Sequence, residues 1–222
     1  MDWTSPIDAY CERTDAAFWS EPINAVTNLA FILVALLMWH RSAGRTEGRV
    51  LAVILFLIGV GSFLFHTFAT GWAAAADTTP ILVFSLFYIF LANRDFWGWP
   101  VWAAALGALA YIPYTAVMTP VFATLPFFQI SSFYWPLPLL IFAYAILLRR
   151  RIPATARDLA MGAALLCASL TARSLDEVYC TAVPIGTHFL WHILNAILLG
   201  WMIETWLRHQ RSSLRKPAPF IS

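Results

Sequence analysis

Two histidines lie four residues apart in the segment GTHFLWHILNA, residues 186–196, which is otherwise mostly apolar. At that spacing His188 and His192 project from the same face of a helix. Neutral imidazole is a preferred ligand of zinc, and a His-x-x-x-His pair on a helix supplies two ligands in zinc hydrolases. The pair therefore indicates a metal site that needs a further ligand from another part of the chain.

The remaining candidate residues lie between positions 62 and 77. His66 offers a third imidazole, and three protein ligands with one open position are the arrangement of catalytic zinc sites. Zinc with an open position lowers the pKa of bound water to about 7. Asp77 could then accept a proton from that water and pass it to a leaving group. Ser62, one helical turn before His66, could stabilise an oxyanion, or its hydroxyl could instead bond a carbonyl of its own helix.

The elements that must hold these residues are membrane spans. Of the 222 residues, 60% are hydrophobic and 12% are charged, and the mean hydropathy is +0.70. A soluble domain carries about 25% charged residues, so the composition excludes that class. Several apolar stretches approach the ~20 residues that cross a bilayer as a helix. Residues 1–20 lack the basic start and apolar core of a cleavable signal peptide, so the first span is expected to remain in the protein.

The hydropathy pattern predicts an all-α, polytopic membrane protein with seven transmembrane helices. The predicted spans are residues 24–40, 49–68, 78–92, 99–117, 135–149, 157–175 and 186–207. The stretch 118–134 contains two prolines and scattered polar residues, which predicts a loop with an interfacial piece, although an eighth span is an alternative. No repeat or linker divides the chain, which predicts one membrane domain over residues 1–222.

The basic residues indicate the orientation of the seven spans. If the spans alternate, twelve basic residues fall on one side: Arg41, Arg45, Arg49, Arg94, Arg149, Arg150, Arg151, Arg157, Arg208, Arg211, Arg215 and Lys216. Arginine and lysine collect on the cytoplasmic side. The amino terminus is therefore predicted outside and the basic tail, residues 208–222, in the cytoplasm. An eighth span would spoil this segregation. Acidic residues map to the outer face: Asp2, Asp8, Glu12, Asp15, Glu21, Asp77, Asp176 and Glu177.

The candidate residues all fall near the outer ends of the spans that carry them. His66 lies 17 residues after Arg49, which is about 25 Å along a helix that crosses ~30 Å of hydrocarbon. Asp77 opens span three, and His188 and His192 lie in the first turns of span seven. Ionisable groups inside a bilayer are costly and mark functional sites. Together these groups predict a metal hydrolase that acts on an amide or ester of a lipid.

Four sequence blocks resemble the alkaline ceramidase family, within the wider CREST superfamily of seven-span membrane hydrolases. The blocks are DAYCERTDAAFWSEPINAVTN (8–28), GSFLFHTF (61–68) followed by Asp77, SLDEVYC (174–180) and THFLWHILNA (187–196). They occur in the order of the family and span almost the whole chain. The resemblance implies a zinc ion held by His66, His188 and His192, with water as the remaining ligand.

The resemblance also implies the reaction and the roles of the other candidates. Asp77 matches the general acid/base of the family, and Ser62 matches the residue that supports the oxyanion. The family hydrolyses the amide of ceramide to a sphingoid base and a free fatty acid. The implied partners are a membrane lipid, ceramide or a related N-acyl lipid, and water, with no nucleic acid. The expected location is a bacterial inner membrane, with the active site near the outer, periplasmic face.

The acidic outer segment, residues 1–23, resembles the part of the family that holds calcium. Calcium prefers six to eight oxygen ligands. The matching positions, with one adjacent acid, are Asp8, Ala9, Tyr10, Glu12, Thr14 and Glu21. The two glutamates retain the family's acids and Tyr10 offers its backbone carbonyl, whereas Ala9 replaces an acid and Thr14 an amide. A hydrated acidic surface strand is the alternative interpretation.

Two cysteines bear on the compartment of the outer segment. Cys11 and Cys180 both fall in predicted outer segments, where an oxidising environment permits a disulfide. The family pairs cysteines at both matching positions. The resemblance therefore implies a bridge that holds the acidic segment over the metal site.

Other functions fit parts of the same pattern. A phospholipid-remodelling hydrolase or an adiponectin-receptor-like protein of the same superfamily would share the zinc site. A membrane cytochrome would use two of the histidines as haem ligands, but Asp77 would then have no evident purpose. A transporter would show an inverted repeat or broken helix pair, and the sequence shows neither. The acidic segment and the pair of outer cysteines favour the ceramidase interpretation.

Overall fold

The computed structural model describes residues 2–214, and that range contains nine α-helices. They are α1 (Pro22–Thr27), α2 (Leu29–Arg41), α3 (Thr46–Phe68), α4 (Gly71–Leu91), α5 (Val101–Leu109), α6 (Tyr111–Ala123), α7 (Pro136–Leu148), α8 (Pro153–Ser174) and α9 (His188–Leu214). A π-helical turn, Ala92–Phe96, continues α4, and a 3₁₀ turn, Glu177–Tyr179, follows α8. Within the described range the only β-type pairing is one isolated bridge between Pro6 and Thr70. The predicted all-α class is confirmed.

Each predicted span coincides with a helical segment, and five of these segments are long and apolar enough to cross a membrane. The five are Pro22–Arg41, Thr46–Phe68, Gly71–Phe96, Val101–Ala123 and His188–Leu214. Of the other two, Pro136–Leu148 is apolar but shorter, and Pro153–Ser174 carries both arginine and aspartate. The number of seven spans and their orientation therefore stay predictions. Arg215 and Lys216 of the predicted basic tail lie outside the described residues.

The prediction of a loop over residues 118–134 was wrong at its beginning. Helix α6 continues through Pro120 before turns begin. The chain breaks instead at Ala110, between α5 and α6. Pro113 explains this break, because it has no N–H to donate to the carbonyl of Leu109 four residues earlier.

Helices α3 and α9 are the most deeply buried of the spans, and they form the centre of the bundle. Helix α3 packs between α2 and α4, whereas α9 packs against α8 and α2 and also contacts α3. Their facing side chains, including Leu55 and Ile58 of α3 and Ile203 and Trp206 of α9, form the main apolar core. This packing places the residues at one end of α3 beside the first turns of α9.

Polar side chains tie the opposite end of the bundle together. Glu204 of α9 accepts a hydrogen bond from Arg41 of α2 at 2.9 Å. Asp95, in the turn after α4, accepts a hydrogen bond from the indole N–H of Trp206 at 2.7 Å. These contacts fix α2, α4 and α9 relative to one another at the end that the basic residues predict to be cytoplasmic.

Residues 2–20 cross the bundle where α3 turns into α4. The N–H of Ile7 donates to the carbonyl of Ala69 at 2.7 Å, and the N–H of Trp72 donates to the carbonyl of Trp3 at 3.1 Å. Ala69 adopts the left-handed conformation, with φ at 44°, which ends α3 and lets the chain reverse within two residues. From here on, the name outer segment refers to residues 2–20, the described residues of the predicted outer segment that precede Glu21. Backbone hydrogen bonds attach it to this turn.

A disulfide joins Cys11 of the outer segment to Cys180 in the loop before α9, so the predicted bridge is confirmed. Asp176 strengthens the same junction from the end of α8. Its carboxylate accepts hydrogen bonds from three backbone N–H groups, those of Cys11, Thr187 and His188, at 2.9, 2.6 and 2.8 Å. The outer segment and the first turn of α9 are therefore held in one fixed arrangement.

Removal of this bridge should both destabilise the protein and release the outer segment. We expect the double variant Cys11→Ser/Cys180→Ser to lose about 2–4 kcal/mol of stability, because a disulfide that closes a long loop restricts the unfolded chain. We also expect trypsin to cleave after Arg13, which is buried in the intact protein. Thermal unfolding and limited trypsin digestion measure the two effects. Cys167→Ser, which changes the free cysteine, is the matched control, and equal behaviour of both variants would contradict the prediction.

Candidate metal centre

Three histidines meet at the end of the bundle beneath the outer segment. His66 lies in the last turn of α3, His188 is the first residue of α9, and His192 follows one turn later. Each can direct one ring nitrogen so that the three atoms lie within 4.8 Å of one another. All three side chains are buried. The structure thus brings together the three residues that the sequence selected.

The ring of His66 is oriented by a carboxylate. Its Nδ1 lies 2.6 Å from a carboxylate oxygen of Glu21. Burial raises the pKa of Glu21, but the hydrogen bonds that it accepts from His66 and Arg13, together with the charge of the guanidinium, outweigh burial and hold the pKa below its usual range. Glu21 is therefore ionised, and its carboxylate accepts a hydrogen bond from Nδ1–H of His66. The lone pair of His66 is left on Nε2, which points into the histidine cluster.

The ring of His192 is oriented by a hydroxyl. Its Nδ1 lies 2.9 Å from Oγ1 of Thr27. The hydroxyl proton of Thr27 is already directed at the carbonyls of Ile23 and Asn24, at 2.8 and 3.1 Å. Thr27 must then accept from Nδ1–H of His192. The lone pair of His192 is therefore also on Nε2.

These two assignments have an electrostatic consequence. The Nε2 atoms of His66 and His192 lie 3.0 Å apart, and with both rings neutral in these tautomers neither carries a proton to share with the other. Two lone pairs facing each other in a buried site repel, unless a cation lies between them. Tetrahedral zinc, with Zn–N bonds of about 2.0–2.1 Å, holds two imidazole nitrogens about 3.3 Å apart. The spacing and the neutral nitrogen donors fit zinc.

His188 completes the donor set. Its Nδ1 is buried and has no hydrogen-bond partner in the protein, which is a costly state for a polar atom. Its ring stacks on that of Tyr10, with centroids 3.7 Å apart. The stacked ring is thus fixed in place while a nitrogen remains available to a ligand that the protein itself does not provide.

Arg173 holds Tyr10 in this stacking position. Its guanidinium donates to the carbonyl of Ile130 and the hydroxyl of Ser131, both at 3.0 Å, and to the hydroxyl of Tyr10 at 3.4 Å. The guanidinium also lies 5.9 Å from the ring centroid of Trp191. Trp191 is in the first turn of α9, as is His188. The contacts connect α8, the loop before α7 and the outer segment behind one histidine ligand.

Asp77 and Ser62 lie beside the cluster because α3 and α4 approach closely. A Cβ at Gly61 would collide with the carbonyl of Ala76, so glycine permits this approach. Ser62 lies close enough to Asp77 for its hydroxyl to interact with the carboxylate, and Asp77 is also near enough to His66 to interact with it electrostatically. Both roles left open for Ser62 therefore stay predictions.

An apolar cavity runs from Ser62 and Asp77 into the interior of the bundle. Its volume is about 90 Å³. Along α4 its lining extends from Asp77 to Ala92, which is about 22 Å at 1.5 Å per residue. This exceeds the ~15 Å depth of one leaflet of hydrocarbon. Ser62 and Asp77 therefore belong both to the surroundings of the histidines and to the polar end of a long apolar cavity.

The residues expected to bind calcium do not form a set of free oxygen ligands. Both carboxylate oxygens of Glu12 accept backbone N–H groups at the start of α1, at 2.8 Å each. Those of Glu21 accept from Arg13, His66 and the side chain of Asn24. The carbonyl of Tyr10 accepts the N–H of Arg13. The side chains of the other two, Asp8 and Thr14, are exposed. Calcium needs six to eight oxygens, so this donor set does not fit it.

The geometry also decides against a haem site. A haem iron needs one axial ligand on each side of the porphyrin plane. The ring nitrogens of His66 and His192 are only 3.0 Å apart, which leaves no room for a porphyrin between them. His188 and His192 project from the same face of one helix, so they cannot bind a haem iron from opposite sides of the porphyrin. The cytochrome interpretation therefore does not fit.

Sequence reasoning missed several residues that position the ligands. Thr27 carries no spacing relation to the histidines, and it reaches His192 because the chain breaks at Asn28 between α1 and α2. Asp176 was grouped only with the acids of the outer face. Arg13 had no role assigned from the sequence. Their side chains act through contacts that periodicity does not encode.

Comparison with known families gives one match. A family model described as Ceramidase matches residues 2–219, which is nearly the whole chain. The matched range includes the outer segment, both cysteines of the disulfide and all three histidines. No curated protein matches the chain.

The assignment of the His192 tautomer can be tested through Thr27. The variant Thr27→Val keeps the shape of the side chain but removes the acceptor for Nδ1–H. We expect zinc affinity to fall about 10–100-fold, as is typical when a hydrogen-bond partner of a ligand is removed. Competition with a chromophoric chelator measures the affinity. Thr171→Val is the control, because that hydroxyl bonds only a carbonyl of its own helix, and unchanged affinity in Thr27→Val would contradict the assignment.

Proposed function

Because the chain belongs to the ceramidase family, we propose that it is a zinc-dependent membrane amidase. Its substrate is ceramide or a closely related N-acyl lipid, which it hydrolyses to a sphingoid base and a free fatty acid. The observation that carries this proposal is the position of Ser62 and Asp77 between the histidine cluster and the apolar cavity. His66, His188 and His192 would hold the zinc ion, which when bound supplies a water of lowered pKa and polarises a carbonyl.

The shape of the cavity supports an acyl lipid as substrate. Its walls are almost entirely apolar, with residues such as Phe84, Leu140 and Met202. An acyl chain that enters this cavity leaves the hydrocarbon of the bilayer for apolar side chains of the protein. It extends from Ser62 and Asp77 towards the interior of the bundle. The amide carbon then lies at Ser62 and Asp77, which are the polar groups nearest to the histidines.

The residues at the polar end can perform the proton transfers of amide hydrolysis. Asp77 accepts a proton from the attacking water and later donates it to the amide nitrogen. A C–O bond forms, the C–N bond breaks, and the nitrogen leaves as a neutral amine. Ser62 donates a hydrogen bond to the oxyanion that develops when the carbonyl is attacked.

A side groove between α4 and α6 supports access from within the bilayer. Threonines line its outer part, including Thr78 and Thr115. Its inner part shares Ser85 and Tyr134 with the apolar cavity. A two-tailed lipid could therefore reach the site sideways without leaving the membrane. With the predicted orientation, such a lipid comes from the outer leaflet.

The proposal is tested by offering lipids to zinc-loaded protein in sealed vesicles. Ceramide should yield a sphingoid base and a fatty acid in equal amounts, followed by mass spectrometry. Ceramide confined to the leaflet on the amino-terminal side should react, and ceramide in the opposite leaflet should not. His192→Ala protein, which lacks a ligand, is the inactive control. Fatty acid released only from phospholipid would favour the other hydrolases of the superfamily, and cleavage of neither lipid would refute the proposal.

Replacing Asp77 separates proton transfer from metal binding. The variant Asp77→Asn should keep one zinc ion per chain, because no ligand is lost. Turnover should fall by about 10²–10⁴-fold, because an amide cannot accept and return the proton. Metal analysis and product formation provide the two measurements. Asp8→Asn, at an exposed position, is the matched control, and full activity in Asp77→Asn would assign the proton transfer to another group.

A further inference from the structure

Arg13 contacts both the backbone and the side-chain partner of one metal ligand. Its Nε donates to Glu21 at 2.5 Å, one terminal nitrogen donates to the carbonyl of Asp15 at 3.1 Å, and the other donates to the carbonyl of His66 at 3.1 Å. The side chains of Arg13 and Glu21 are only 5% and 2% exposed. This guanidinium is therefore a buried cation with three fixed acceptors.

The contact with the carbonyl of His66 provides a hydrogen-bond donor at the carboxyl-terminal end of helix α3. The last four carbonyls of a helix have no partner within it, and His66 lies in the last turn. A cation at this end also interacts favourably with the helix dipole. Arg13 thus fixes the backbone of a ligand residue at the point where its helix ends.

The contact with Glu21 acts on the ring of the same ligand. One carboxylate oxygen of Glu21 accepts from Arg13, and the other accepts from Nδ1 of His66 at 2.6 Å. A buried carboxylate without a compensating cation is costly. Without Arg13, one carboxylate oxygen of Glu21 would lose its charged partner, and the carboxylate would lose its fixed position against the ring.

We propose that Arg13 is a positioning residue of the metal centre. It serves as the protein's own cation in the outer segment, and it takes the place that a calcium ion would otherwise have among these oxygens. Each carboxylate oxygen of Glu12 and Glu21 already accepts a hydrogen bond within the protein, and the guanidinium neutralises the charge of Glu21. The inference rests on the zinc site of the proposed function, and it concerns how His66 is held rather than what reaction follows.

Arg13→Met tests the role, because methionine keeps part of the side-chain volume and removes the charge and all three donors. We expect zinc affinity, measured by chelator competition, to fall about 10–100-fold, the range seen when the surroundings of a metal ligand are altered. Arg13→Lys should recover only part of the loss, because a single ammonium group cannot bridge three acceptors as a planar guanidinium does. If Arg13→Met does not fold, the Arg13→Lys protein provides the measurement, and wild-type affinity there would overturn the proposal.

A double-variant cycle distinguishes positioning from general stability. If Arg13 acts mainly through Glu21, then Arg13→Met/Glu21→Gln should bind zinc no more weakly than Glu21→Gln alone. Arg41→Met breaks another arginine–glutamate pair, with Glu204 at the opposite end of the bundle, and should leave zinc affinity unchanged. Losses in the Arg13 and Glu21 variants that simply multiply would overturn the shared role.

Calcium binding gives an independent measurement. Titration of Ca²⁺ alone into the zinc-loaded protein, followed by calorimetry and by the unfolding temperature, should show no binding at the outer segment. Calcium that stabilises the wild type, with the effect lost in Glu21→Gln, would overturn the proposal. If the wild type itself does not bind zinc, the proposed function fails. If the wild type and Arg13→Met bind zinc equally, only the role of Arg13 fails.

Discussion

The candidate metal centre depends on one electrostatic constraint, which is that two ring nitrogens face each other at 3.0 Å inside a buried site and, with both rings neutral, have no proton between them. In a low-dielectric interior such a contact is repulsive, and a cation between the nitrogens makes it attractive. The constraint does not arise from the histidines alone. Glu21 and Thr27 take the protons of His66 and His192 on the far side of each ring. The preference for a cation is therefore determined by residues that would never touch it.

The irregular outer segment is consequently part of the wall of the site. It supplies Glu21's cationic partner and the aromatic ring that stacks on His188. Backbone hydrogen bonds attach it to the turn between α3 and α4, and the disulfide attaches it to the loop before α9. Since α3 and α9 also carry the ligands, each attachment lies close to the groups that it positions. The apolar core supports the helices, but the polar contacts at this end determine the ligand geometry.

The sequence was sufficient for the parts of the site that follow from helical geometry. His188 and His192 were recognised by their spacing, and His66 and Asp77 by their depth along spans whose ends the basic residues marked. Helix periodicity could not assign Thr27 or Arg13, because their contacts depend on a helix break and on the path of an irregular segment. The donor set expected for calcium could not be judged from the sequence for a related reason: sequence counts carboxylates, but it does not show which of their oxygens already accept hydrogen bonds within the protein. The loop expected from residue 118 differed because a proline in a membrane helix need not end it.

The disulfide spans 169 residues of sequence, and the candidate metal ligands come from α3 and from α9. During synthesis the outer segment and α3 emerge long before α9, which carries two of the three histidines. A nascent or truncated chain that ends before α9 therefore contains Ser62 and Asp77 but only one histidine of the cluster. Formation of the site is thereby coupled to the synthesis of α9, so that a partly inserted chain lacks the metal centre that the proposed hydrolysis requires.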